Sequence, residues 1–303
     1  MRPPARWVVR GDDRGDGWRV RAPERWDPAR HMPLLERPGS GAVVAGFDVP
    51  LGVPHAWARM AGVASFGEVL ARLADPSWPR FAEPAEVPDE IGPRRPFYPR
   101  APGGSRQAHL VEGLGLDSPQ QLLRACDRPV PGVITAAAPV FWLVGPQQVG
   151  KAALSAWREV VVPAVAHDHV RMWPFDGALP DLLGPGSVVL AECYPRAAYT
   201  WPLGFPGAGW SKRRQADRRA RGREALAWIQ ASGLPIHLDP AMRAAIEDGF
   251  GAAPSGEDPF DATLGALQMI AVIDGLVPAG PPPGLPPAQA GVEGWILGRP
   301  AGD

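Results

Sequence analysis

GAVVAGFDVPLGVP, residues 41–54, sets a short apolar, β-branched run against a Pro-Leu-Gly turn, and its one charged residue, Asp48, falls where the run ends. Apolar runs of this length bounded by Gly and Pro read as buried strands. Pro50 has no N–H to continue a ladder, so the strand stops just after the carboxylate. VVLAECYPRAAY (188–199) repeats the pattern far downstream, with Glu192 closing VVLA. A third acidic segment, EDPFDATLGAL (257–267), instead opens a helix that runs over 258–275, with Asp258 at the N-cap, Pro259 at N1 and Asp261 one turn on.

Strands that are continuously apolar are buried on both faces, which favours parallel pairing with helices above and below. The fold class expected is α/β, a mixed sheet flanked by helices, within a single domain spanning 1–303. Residues 5–21, ARWVVRGDDRGDGWRVR, read as a hairpin with Trp7 and Trp18 in comparable positions. SFGEVLARLA (65–74) is a helix, and VRMWPF (170–175) is a further strand. AAAPVFWLVGPQQVGKAALSAWREVVVPAVA (136–166) combines an apolar strand-like entry, a Gly/Pro turn and an amphipathic helix with Ala153, Trp157 and Val160 on one side. SKRRQADRRARGREALAWIQASG (211–233) is a helix with a basic first half, and Gly233 can cap it. Residues 55–135, Pro-rich through Pro102, form an insertion or a helical and loop elaboration. No repeat of fixed period stands out.

The chain has 303 residues, enough for a substantial core, and its 45% hydrophobic and 21% charged residues are those of a soluble globular protein. No apolar stretch approaches the roughly 18 residues of a membrane span. The start, MRPPARWVVRGDD, lacks the apolar stretch of a secretory leader. Cys126 and Cys193, the two cysteines, have no metal-ligand spacing and read as small buried thiols, which fits a reducing cytoplasm. A net charge of −1 gives no global attraction to nucleic acid, so any such surface is a local patch. Lys151 and Lys212 are the only lysines, and the 36 Gly and 39 Pro, with Trp, Val and Leu spread among them, imply many Pro-rich loops on a folded domain.

Carboxylates at strand ends and a helix start suit two-metal phosphodiester cleavage, in which divalent ions about 3.5–4 Å apart clamp the attacking and leaving oxygens. Each acid also has a plainer reading. Asp48 can cap the turn into Pro50, Glu192 can face outward from its strand, and Asp258 and Asp261 can stabilise a helix start. The basic group Lys212, Arg213, Arg214, Arg218 and Arg219 can follow a phosphate backbone or form a solvated face. GPQQVGK (145–151) imitates a phosphate-binding loop, but Ala152 stands where the Mg²⁺-binding hydroxyl belongs and Pro146 removes a cradle N–H, so no nucleotide ligand is expected there. The six histidines show no zinc spacing, and no G-x-S-x-G occurs.

FDVPLGVP, FWLVGPQQVGKAALSAWRE, AECYPRAAY, SKRRQADRRARGREAL, DPFDATLGAL and EGWILGRP (293–300), taken in order over roughly residues 41–300, resemble domain-of-unknown-function family 429, regarded as predicted RNase H-like nucleases. The resemblance implies a metal-dependent nuclease acting on DNA or RNA with Mg²⁺ or Mn²⁺. Its catalytic acids would be Asp48, Glu192, Asp258 and Asp261, with Asp48, Glu192 and Asp261 as metal ligands, and Lys212 would position a phosphate beside Arg213, Arg214 and Arg218. RNase H-like proteins begin with a strand carrying a central Asp. This chain opens on what looks like the following hairpin, so the expectation includes a missing first strand and first carboxylate. A catalytically impaired nucleic-acid-binding or protein-interaction module is therefore the alternative.

Overall fold

In the computed structural model, residues 6–101, 103–131, 135–145 and 149–300 are described. The strands in these residues are β1 (Trp7–Val8), β2 (Gly11–Asp13), β3 (Trp18–Val20), β4 (Glu24–Arg25), β5 (Val43–Phe47), β6 (Val170–Met172), β7 (Val188–Glu192) and β8 (Ile236–Leu238). They form three small sheets among helices, a mixed α/β arrangement that is not a barrel. The site is carried by the parallel sheet, in the order β5-β7-β6, with the apolar β7 buried along its whole length at the centre. Phe47 pairs in register with Glu192, so Asp48 and Glu192 emerge together at the C-terminal ends of neighbouring strands. Residues 295–297 continue alongside: Ile296 bridges Glu192, and the Leu297 N–H donates to the Glu192 carbonyl at 2.9 Å.

The N-terminal hairpin is narrower than the expected 5–21. β2 pairs with β3, which places Trp18 opposite Asp13, while Trp7 pairs with Arg25 in a separate β1–β4 ladder. Trp7 and Trp18 therefore do not hold comparable positions of one hairpin: the Arg21 N–H still donates to the Arg10 carbonyl at 2.9 Å, but Trp7 and Val8 pair with Arg25 and Glu24, partners that local pattern does not carry. β8 adds to β3 in parallel. Gly17, at φ +128°, lets the hairpin lie against Pro235: a Cβ there would stand 2.2 Å from the Pro235 carbonyl oxygen.

The helices are α1 (Pro28–Glu36), α2 (His55–Ala61), α3 (Phe66–Ala71), α4 (Gln107–Gly113), α5 (Val149–Ala156), α6 (Val162–Val165), α7 (Leu179–Leu182), α8 (Pro195–Thr200), α9 (Gln215–Ala231), α10 (Pro240–Asp248), α11 (Glu257–Ile273) and α12 (Pro287–Glu293). Ser65 caps α3 by accepting from the Glu68 N–H, and Glu68 accepts in return from the Ala64 N–H. A wide turn over Trp157–Val161 joins α5 to α6, and Ala153, Trp157 and Val160 are buried as the periodicity requires. The apolar entry before α5 is not a strand; it contributes only an isolated bridge between Trp142 and Tyr98. α9 begins at Gln215, so Lys212, Arg213 and Arg214 precede it rather than belonging to its first turn. α11 starts at Glu257 with Gly256 at its cap, which moves Asp258 from the predicted capping position into the first turn.

Residues 55–135 pack as part of the main core. Its Trp57, Phe66, Phe81 and Phe97 lie in one cluster with Phe141, Trp157 and Val188 and Leu190 of β7. Ring centroids are 5.1 Å apart for Trp57–Phe141 and 5.2 Å for Phe97–Phe141. Large aromatic rings bury roughly 150–250 Å² each, which makes this cluster the dominant apolar contribution. The Trp157 indole N–H donates to the Pro50 carbonyl at 2.8 Å and so ties the core to the turn that follows Asp48.

Candidate active site

The C-terminal edge of a parallel sheet is where an open α/β fold leaves a crevice. Here those strand ends carry carboxylates. Asp48 follows β5, and among the described residues no side chain or backbone N–H donates to its carboxylate. α11, packed on α8, supplies Asp261 from its second turn. The Tyr199 hydroxyl of α8 donates to Asp261 Oδ1, and Lys212 Nζ donates to Oδ2 at 2.5 Å. Asp258 is exposed at the rim, one turn earlier.

Burial first, then the charges of Asp261, Glu192 and Asp258, push Asp48 from 3.8 up to about 7, with Lys212 pulling the other way. Carboxylate crowding is the sturdier of the two causes, because Asp48 as a residue remains solvent-exposed. Burial likewise raises Asp261, against the pull of Lys212 and Tyr199. Burial opposes the Lys212 charge, but Asp261 outweighs it and holds the ammonium above its ordinary value. Asp258 is raised by partial burial and by Glu257 beside it.

Glu192 belongs to a different set of partners. Arg124, fully buried, grips it with both arms of the guanidinium, Nη1 to Oε2 at 2.6 Å and Nη2 to Oε1 at 2.7 Å. The Leu51 N–H donates to Oε2 at 2.8 Å. Arg124 also holds Asp127 through Nε at 2.9 Å and Nη2 at 2.8 Å. Burial pushes Glu192 up while Arg124 draws it down; two short N–H···O bonds in fork geometry are those of an ionised pair. Buried Glu293 completes the assembly, accepting from the His55 N–H at 2.9 Å and the Ala125 N–H at 2.8 Å.

The four expected acids therefore gather at one end of the sheet, and all three others act on Asp48. As a joint ligand set they do not fit. Among the described residues no three His, Cys, Asp or Glu side chains are grouped so as to hold one ion, and the Glu192 oxygens are engaged by Arg124 and Leu51. Asp48 suits a hard cation better, and Asp261, whose oxygens accept from Tyr199 and Lys212, would join it only as Lys212 turns away; Mg²⁺ usually takes one or two carboxylates and fills its other positions with water or substrate phosphate.

The basic cluster divides. Lys212 reaches the site, and Arg213 is exposed. Arg214 is exposed but paired with Asp217 at 2.6 Å. Arg218 is not a phosphate-facing residue: fully buried, it donates to the carbonyls of Lys212 and Gly251 at 2.6 Å, Gly249 at 2.7 Å and Ala253 at 3.1 Å. It braces the loop leading into α11 and the backbone of Lys212. Residues 146–148 of the loop-like GPQQVGK lie outside the described residues; Gly150 sits in α5 where a Cβ would come within 2.3 Å of the Val140 carbonyl, a packing role.

Sequence reading missed Arg124, Tyr199 and Glu293. Tyr199 stands seven residues beyond Glu192, and Glu293 opens the EGWILGRP segment, so both lay inside noticed motifs. Arg124 lay in the stretch read as insertion and carried no local signal. No helix among the described residues is long and apolar enough to cross a membrane. Comparisons with known protein families, with curated proteins and with solved structures each return no match.

Proposed function

We propose that this chain is an RNase H-like, metal-dependent nuclease that hydrolyses a phosphodiester of DNA or RNA, as the resemblance to family 429 implies. The supporting observation is Asp48, a carboxylate at a parallel strand end to which no side chain or backbone N–H among the described residues donates, and which is pushed up to about 7 among three other carboxylates. A site that crowds four carboxylates around one ammonium is suited to a further cation. Asp48 and Asp261 would hold Mg²⁺ or Mn²⁺, with Asp258 at the rim, and the ion would supply an activated water and charge neutralisation. Tyr199 and Lys212 fix the Asp261 carboxylate from either side. Lys212 is half-buried, so its ammonium can meet a phosphate oxygen as it turns from Asp261, with exposed Arg213 beside it on the backbone.

The test is cleavage of single-stranded and duplex DNA and RNA with and without Mn²⁺, using the parent, Asp48→Asn and Asp261→Asn. The proposal expects metal-dependent cleavage reduced at least a hundredfold in either variant. Cleavage unaffected by both substitutions, or absent from the parent with every substrate, would reject it. The second reading is a nucleic-acid-binding module without cleavage, favoured by the engagement of Glu192 with Arg124. It expects salt-sensitive binding, weakened by Arg213→Glu, with no turnover.

A further inference from the structure

Arg124 reaches the sheet from residues 55–135, and it arrives fully buried. Its guanidinium lies between two carboxylates, Glu192 on one side and Asp127 on the other, four of its N–H···O bonds measuring 2.6 to 2.9 Å. A fifth, longer bond of 3.3 Å runs from Nη1 to the Glu293 carbonyl. A cation held between two facing buried carboxylates meets the electrostatic need that a divalent ion would otherwise meet there. We infer that Arg124 is a built-in cation standing in the place of a metal ion between Glu192 and Asp127, so that Glu192 is a positioning residue and not a ligand.

What Glu192 positions is the turn after Asp48. Its Oε2 accepts from the Leu51 N–H, and Arg124 Nη1 and Gly52 both meet the Glu293 carbonyl, where a Cβ on Gly52 would come within 2.0 Å of that oxygen. The pair thus clamps residues 48–52 against the C-terminal segment. Pulling the guanidinium away would leave two buried carboxylates facing each other without a cation, which makes the pairing a fixed part of the fold.

The inference deepens the nuclease reading and rests on it for the role of Asp48, but it is testable apart from it. Mn²⁺ titrations of the full chain, with free Mn²⁺ counted by electron paramagnetic resonance, are compared for the parent, Glu192→Gln, Arg124→Lys and Arg124→Gln. Circular dichroism checks that each is folded. Arg124→Lys should bind Mn²⁺ within twofold of the parent, and Glu192→Gln should keep the parent's number of bound ions, with affinity lowered through the turn at Asp48. Arg124→Gln, which leaves Glu192 and Asp127 as facing carboxylates, should take up one ion more, a gain that loss of structure does not produce. If the parent binds no Mn²⁺ and Arg124→Gln gains an ion, the nuclease reading falls and this inference stands. Loss of the parent's bound ion in folded Glu192→Gln, or no added ion in folded Arg124→Gln, overturns it. Should Arg124→Gln not fold, the ion count of Glu192→Gln decides by the same criterion.

Discussion

Asp48 illustrates how a single carboxyl reports on its surroundings. Its folded value of about 7 lies above the ordinary 3.8, so the native state holds a proton that the unfolded chain has released across that interval. Stability from this group is therefore lost as pH rises from about 4 to about 7 and changes little beyond. Asp48→Asn should raise the melting temperature relative to the parent at pH 8 and leave it nearly unchanged at pH 4.5; thermal melts at the two pH values check this, and equal shifts at both would show that the crowding is not felt. Arg218 is the opposite case, a buried cation satisfied only by carbonyls. Arg218→Ala strips donors from the Gly249, Gly251 and Lys212 carbonyls, and should cost about 2–4 kcal/mol in denaturant unfolding. Counting charges along 211–219 could not separate Arg218 from its exposed neighbours, because its inward direction depends on where α10 and the loop after it pack.

At the scale of elements, caps and turns were legible where their chemistry is local. Ser65 and Glu68 announce the start of α3, and Ser65→Ala should lower stability by about 1 kcal/mol. Urea unfolding of that variant reads the change directly. Gly17 is a further local requirement made strict by a distant contact. Gly17→Ala meets both the positive φ and the Pro235 carbonyl, so it should destabilise by about 1–3 kcal/mol, with hydrogen-exchange protection lost first in β2, β3 and β8. The strands β5 and β7 were readable as buried apolar runs ending in acids. Their pairing was not, because register between segments about 140 residues apart is set by which helices cover them. The cap of α11 lies two residues earlier than expected, at Gly256 rather than Asp258, within the ordinary variation of helix ends.

For the whole molecule, the segment 55–135 is the main revision. Its aromatic residues and Pro punctuation read as an elaboration, yet they build the largest apolar cluster and deliver Arg124 to the strand ends. Arg124→Ala should destabilise by about 3–5 kcal/mol, since it leaves two carboxylates buried without a partner. Because Arg124 joins this segment to β7 and the C-terminal residues, that loss should appear as one cooperative transition at lower denaturant; two separate transitions would mean that the segment folds independently. The sequence by itself determined the α/β class, the positions of Asp48 and Glu192 at strand ends and the helix carrying Asp258 and Asp261, because hydrophobic period and turn residues act over a few positions. Only the tertiary structure decided that Glu192 answers to Arg124, that Asp261 is held by Tyr199 and Lys212, and that Arg218 faces inward. Side-chain partners distant in sequence are chosen by packing, and packing is not written in any local stretch of the chain.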